Sequence, residues 1–323
     1  MALATVYGVV QLLALASPTR TVRTSTVLLA VLVGAYACGL AAVILEYSYT
    51  RVIADQPRGR ALREAVSVTS YTISPTIEEI LKIAPILLTV RNKHVRRQWG
   101  FTDYVLIGGA SGAGFGLIEA LGRLSPEVDQ AVAHTAGGWV VPSSLTPPYI
   151  PGLSQIVHTW FPAPFGTLGI GGSDPTTPTS PHLAFSTTAA LGLGLAIRNR
   201  GWARLWGCAP FSLACALHTL FNYSAEHRHS ASAKELLANA NNILWVIPLA
   251  CLGISIVMDM IHIRKAKRSA PEILTHSERA GRTGLEALGG YGLWRFPWSM
   301  AISLRFARAR RSLLYALCSD QQK

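Results

Sequence analysis

Hydrophobic positions in this chain come in long unbroken blocks, without the strict alternation of half-buried strands. The blocks predict helices near residues 2–17, 26–48, 74–90, 104–122, 181–197, 202–222 and 240–262. Apolar runs of roughly 18 to 23 residues match the hydrocarbon thickness of a bilayer. In hydrocarbon only helices or closed barrels satisfy their own backbone polar groups, and a barrel needs alternation. The pattern therefore predicts an all-α, polytopic transmembrane helical bundle of about seven spans over residues 1–262, followed by a basic tail over 263–323.

Two features at the margins of the pattern add to this picture. The first block ends in Ala14-Leu15-Ala16-Ser17, like the exit of a signal peptide. No positively charged segment precedes it, so an uncleaved first helix is the expectation. Residues 123–180 hold Pro142, Pro147, Pro148, Pro151, Pro162, Pro164, Pro175 and Pro178, interleaved with Trp139, Trp160 and Phe161. Such a stretch reads as an extramembrane loop with interfacial aromatics.

Composition agrees with a membrane solvent: 50% of residues are hydrophobic and only 14% charged, which excludes an ordinary soluble domain. The net charge of +12 raises nucleic acid as a partner, but the basic residues sit between apolar blocks and in the tail, so none is expected. They read as topology signals and as contacts for anionic lipid. With seven spans, Arg91, Lys93, Arg96 and Arg97 share one side with Arg198, Arg200 and Arg204 and with Arg264, Lys265, Lys267 and Arg268. That side is expected to be the cytoplasm of a cell membrane, with the C-terminus inside and the proline-rich loop outside. Arg51, Arg58, Arg60 and Arg63 then fall outside, against the rule; an amphipathic surface segment or another helix count would account for them. In the tail, Ile302, Phe306, Ala309, Leu313 and Leu317 recur at helical spacing, with Arg305, Arg308 and Arg311 on another face. This predicts a basic amphipathic helix on the inner leaflet, the alternative being a solvated, unfolded tail. Five scattered cysteines, without a C-x-x-C pair, read as packing residues.

Ionisable groups inside the apolar blocks need a reason, since each costs about 2.5 to 3.5 kcal/mol at mid-span. One block opens with Ser74-Pro75, a cap and first-turn signal, and carries Glu78, Glu79 and Lys82. Lys82 is four residues from Glu78 and three from Glu79, so it can neutralise either carboxylate from the same face, or simply form a salt bridge near a helix start. The next block has Gly108, Gly112 and Gly116 at intervals of four, and Glu119 follows on that small-residue ridge. A glutamate snorkelling to the interface is the plain alternative. His182 opens a later block, and His218 and Asn222 share one face near the end of the next. Because chain direction alternates from span to span, all four sites fall at similar depth in the outer half of the bilayer.

Taken together, Glu78-Glu79-x-x-Lys82, Asp103 with Gly108 and Gly112, Phe115-x-x-x-Glu119, His182 and His218-x-x-x-Asn222 resemble the PrsW family of intramembrane proteases. That family is distantly related to the type II CAAX prenyl endopeptidases, and the resemblance covers about residues 74–222. It implies peptide-bond hydrolysis in membrane-protein or peptide substrates. By the same resemblance Glu78 is the general base, Glu79 its support, Lys82 a restraint on their charge and Asn222 an oxyanion donor. Glu119, His182 and His218 would hold a metal, with zinc suited to one oxygen and two nitrogens. A metal-free version with glutamates and histidines as acid and base fits equally. Other classes stay open: a proton-coupled transporter, a non-catalytic membrane scaffold, or a rhomboid-like serine protease using Ser111 of Gly109-Ala110-Ser111-Gly112 with His218.

Overall fold

The computed structural model describes residues 1–54, 59–142, 148–167, 177–227, 229–269 and 297–320. All seven apolar blocks are helical. The chain starts with α1 (Ala2–Leu15), then α2 (Thr24–Leu32), which runs through a π-helical turn at Val33–Cys38 into α3 (Gly39–Ile53). There follow α4 (Arg60–Thr72), α5 (Ser74–Val90), the short α6 (Lys93–Gln98) and α7 (Phe101–Leu124). Beyond the central loop come α8 (Leu153–Val157), α9 (Pro181–Arg198), α10 (Cys208–Glu226), α11 (Ala231–Ile243), α12 (Val246–Ser269) and α13 (Trp298–Asp320).

Among the described residues, three helices are long and apolar enough to cross a membrane by themselves: Thr24–Ile53, Phe101–Gln130 and Val246–Arg268. The remaining expected spans depend on packing beside these three. The reason is local, because α5, α9 and α10 carry polar groups on faces turned toward the interior, while α1 is short. The helix α4 has no counterpart among the seven blocks, and Arg60 and Arg63 sit exposed on this amphipathic helix, whereas Arg51 lies in the last turn of α3 and Arg58 lies outside the described residues.

Helix α7 is the axis of the bundle, and its residues from Phe101 to Gly116 are all buried. Glycines allow backbone-to-backbone contact on two of its sides. A methyl added to Gly112 would run into the carbonyl oxygen of His182 on α9, and one added to Gly114 would meet that of Val31 on α2. Gly34, in the π-helical turn, lies equally close to the carbonyl of Ser111.

The N-terminus of α7 is capped by two buried carboxylates. Asp103 accepts from the backbone N–H groups of Thr21 (2.7 Å), Val22 (2.9 Å) and Gly100 (2.8 Å), and Asp259 from those of Phe101 and Thr102 (both 2.8 Å). Unpaired N–H groups at a helix start favour such negative partners. Asp103, one of the motif residues, therefore holds the α1–α2 turn onto α7. Helix α13 closes this end: Leu314 and Tyr315 are buried, and Arg311 donates to the Ser17 carbonyl (2.6 Å). The tail is helical here as expected, with Ile302, Phe306 and Leu313 left exposed, whereas residues 270–296 lie outside the described residues.

Arg198 donates to the Arg96 carbonyl (3.4 Å) and lies over the Tyr315 ring, so basic segments from three parts of the chain meet at one end of the bundle. Cysteines introduced at positions 265–268 should react only from the cytoplasm, and those in loop 123–180 only from outside. Loop labelling from the cytoplasmic side alone would reverse the orientation.

The stretch expected as a loop carries structure of its own. After a 3-10 turn at Ser125–Gln130 it forms four short antiparallel strands in sequential order: β1 (Val132–Ala133), β2 (Trp139–Val140), β3 (Pro148–Ile150) and β4 (Gly166–Thr167). Gly137 and Gly138 take positive φ values of 90° and 77°, which turns β1 back onto β2. The meander is moored to α1, where Tyr7 and Gln11 donate to the carbonyls of Val157 and Thr159 (both 3.0 Å).

Candidate active site

On α5 the spacing of three and four residues acts as expected. Lys82 Nζ lies 3.1 Å from Glu78 Oε2 and 2.9 Å from Glu79 Oε1, with Lys82 and Glu79 fully buried. An ammonium group has three protons, and the third points at His182 Nδ1, 2.9 Å away on α9. The Phe115 ring, 4.2 Å from Nζ, covers the cation on the remaining side. Ser74 differs from its expected place, because the helix already includes it and its hydroxyl meets Tyr49 OH at 2.5 Å instead of capping.

The two histidines are held in matching ways. His182 accepts from Lys82 at Nδ1, so its Nε2–H donates to Glu119, which also pairs with Arg123. His218 lies 3.0 Å from Glu79 Oε1 through Nδ1, which leaves the Nε2 lone pair free. The other two ring nitrogens, His182 Nδ1 beside Lys82 and the unengaged His218 Nε2, each stand 3.7 Å from Glu78 Oε2. Each ring thus has one nitrogen fixed by a carboxylate and the other turned toward Glu78. Ser186 fixes the second oxygen of Glu79 (3.0 Å), and the Phe185 ring stacks on His218 with centroids 4.9 Å apart.

Among the described residues, Glu78, His182 and His218 each offer one ligand atom, all within 4.8 Å of one another. Ligands at about 2.1 Å in a tetrahedral site lie roughly 3.4 Å apart, so the three groups would have to draw together, and Lys82 to leave His182 Nδ1, to hold a metal. This grouping differs from the expected Glu119, His182 and His218. Glu119 reaches the opposite edge of the His182 ring, where it orients the imidazole. Asn222 is also placed differently, since its amide donates to the Ser70 carbonyl on α4 (2.9 Å). Ser111 donates to the Lys82 carbonyl (3.1 Å), while His218 is held by Glu79, so the rhomboid-like pairing is not formed.

One participant was missed from sequence. Glu46 on α3 turns its carboxyl toward Glu78 and Ser74. It is an ionisable residue inside the apolar block 26–48, and that alone was the signal that could have found it.

Fold and site together define a polytopic helical membrane protein with a buried centre of carboxylates, imidazoles and one ammonium, contributed mainly by α5, α7, α9 and α10. Residues 23–168 match the family model described as PrsW family intramembrane metalloprotease, so the resemblance carried by the motifs holds. The match includes Glu78, Glu79, Lys82 and Glu119, ends before His182, and supports intramembrane proteolysis as the activity. No curated protein and no solved structure matches the chain.

Proposed function

We propose that this chain is an intramembrane endopeptidase that cleaves membrane-protein or peptide substrates with a divalent metal, zinc by the donor set, held by Glu78, His182 and His218. The observation that carries the reading is the pair of histidines, each turning one nitrogen toward Glu78 while a carboxylate holds the other. A metal bound there would supply Lewis acidity and a water acidic enough to attack at neutral pH. Glu79 and Glu119 then orient the rings, and Lys82 offsets the negative charge that would otherwise be buried unpaired. The exposed apolar and basic faces of α13 rest on anionic lipid at the cytoplasmic surface of the cell membrane.

One contact favours a second reading. Lys82 Nζ, 2.9 Å from His182 Nδ1, occupies the lone pair that a metal would take. In a metal-free enzyme that ammonium would neutralise the site, with Glu78 as general base and Glu79 as its support.

Comparative membrane proteomics of wild type against Glu78→Gln tests the activity itself. A membrane precursor should persist only in the variant. If instead no precursor accumulates and a solute gradient across the membrane is lost, the transporter class takes its place.

A further inference from the structure

Amide hydrolysis needs donors for the oxygen that becomes negative as the carbonyl is attacked. Asn222, the expected donor, is engaged with Ser70 on α4. A different group stands free next to the histidine centre. Ser180, 2% exposed, immediately precedes α9, and its hydroxyl has no hydrogen-bond partner among the described residues. Leaving a buried hydroxyl unpaired is destabilising, so its lack of a partner asks for an explanation.

Its neighbourhood points to a carbonyl oxygen. Helix α9 has 18 residues and no side-chain cap, so the N–H groups of His182 and Leu183 in its first turn have no partner from the helix itself. Pro181, first in the helix, brings no N–H to obstruct them. Aligned peptide dipoles place positive charge at the same point. Across from this turn, Gly116 carries no side chain, and a gap no wider than a methyl group remains. A methyl added there would lie 3.4 Å from Ser180 Oγ and 3.0 Å from His182 Cδ2. Glu119, which orients His182, follows Gly116 by one helical turn.

We infer that the Ser180 hydroxyl and the first turn of α9 form the oxyanion-binding element, which receives the scissile carbonyl oxygen in the space beside Gly116. The inference rests on the protease reading above. As the water oxygen bonds to the carbonyl carbon, the C=O π pair moves onto the oxygen facing Ser180. When that pair returns, the C–N bond breaks. The hydroxyl stays on the acyl carbon, and the departing amine takes the proton released by the water.

The test is steady-state cleavage of the substrate from the proteomic comparison, by full-length protein in proteoliposomes. Ser180→Ala should lower kcat on the order of 10²-fold with KM nearly unchanged. Ser180→Thr, which keeps the hydroxyl, should restore most of kcat. Gly116→Ala, which fills the space, should lose kcat with metal content retained. Thermal stability of Ser180→Ala should equal or exceed that of wild type, because the buried hydroxyl has no hydrogen bond to lose. Wild-type kcat in Ser180→Ala, or a loss that Thr does not restore and that tracks lower stability, overturns the inference. Glu78→Gln, assayed in parallel, separates the two levels. If wild type and Glu78→Gln cleave alike, the protease reading has failed; if only Ser180→Ala behaves as wild type, the oxyanion element alone has.

Discussion

Glu78→Gln loses both turnover and metal, whereas Glu119→Gln loses metal affinity but recovers turnover when metal is added. This is the expected result if Glu78 is the carboxylate toward which both histidines turn a ring nitrogen, each at 3.7 Å. Glutamine keeps the shape of the side chain but is a poor ligand, so the ion should be retained weakly at best. Turnover should fall at least on the order of 10² to 10⁴-fold, the range for losing a general base alone. Glu119 stands behind His182, and losing such an orienting group typically weakens metal binding by about 10- to 100-fold. Both variants should insert normally, since each removes an ionisable group from the bilayer. Activity and metal content measured on the same proteoliposomes, across a zinc titration, decide the matter. A Glu78→Gln protein with full metal but no activity would return Glu78 to the role of base. Zinc-independent activity of the wild type would favour the Lys82-neutralised, metal-free centre.

The allocation of roles between these glutamates shows where sequence reading reaches its limit. The α5 cluster was legible because three- and four-residue spacing fixes which side chains share a face, and Lys82 meets both glutamates as that spacing requires. Convergence of Glu78, Glu119, His182 and His218 was legible from alternating chain direction. Which edge of the His182 ring meets which carboxylate was not, because it depends on how closely α7 and α9 approach at Gly112. The contact that Asn222 makes was not legible for a related reason. Its partner lies on α4, a half-exposed amphipathic helix with no long apolar block to announce it. Glu46 was visible as a charge in an apolar block but belonged to no motif. The β-meander was hidden by its short strands, two or three residues each, between prolines and glycines that look like turn residues throughout.

Gly114→Ala destabilises the protein and abolishes activity although Gly114 touches none of the proposed ligands. On the α2 side of α7 the added methyl would run into the Val31 carbonyl, with the Val31 carbon at 2.8 Å and the Ala35 nitrogen at 3.1 Å. These are backbone atoms of a helix, so no side chain can rotate away. The helices must separate, and Gly34, packed against the Ser111 carbonyl on the same interface, loses its contact as well. Overpacking of this kind typically costs about 1 to 3 kcal/mol, occasionally more. Separation also displaces Phe115, which covers Lys82, and Glu119, which orients His182, so activity should fall further than stability alone explains. Gly122→Ala is the matched control on the same helix, because nothing lies within 4 Å of the methyl it would add. That substitution should be neutral or stabilising, since alanine is favoured over glycine in a helix by about 1 kcal/mol. Thermal unfolding and cleavage rates of both variants in the same lipid provide the comparison. Equal stability of the two would mean that the glycines of α7 do not set the approach of its neighbours, and the account of how the site is assembled would fail with it.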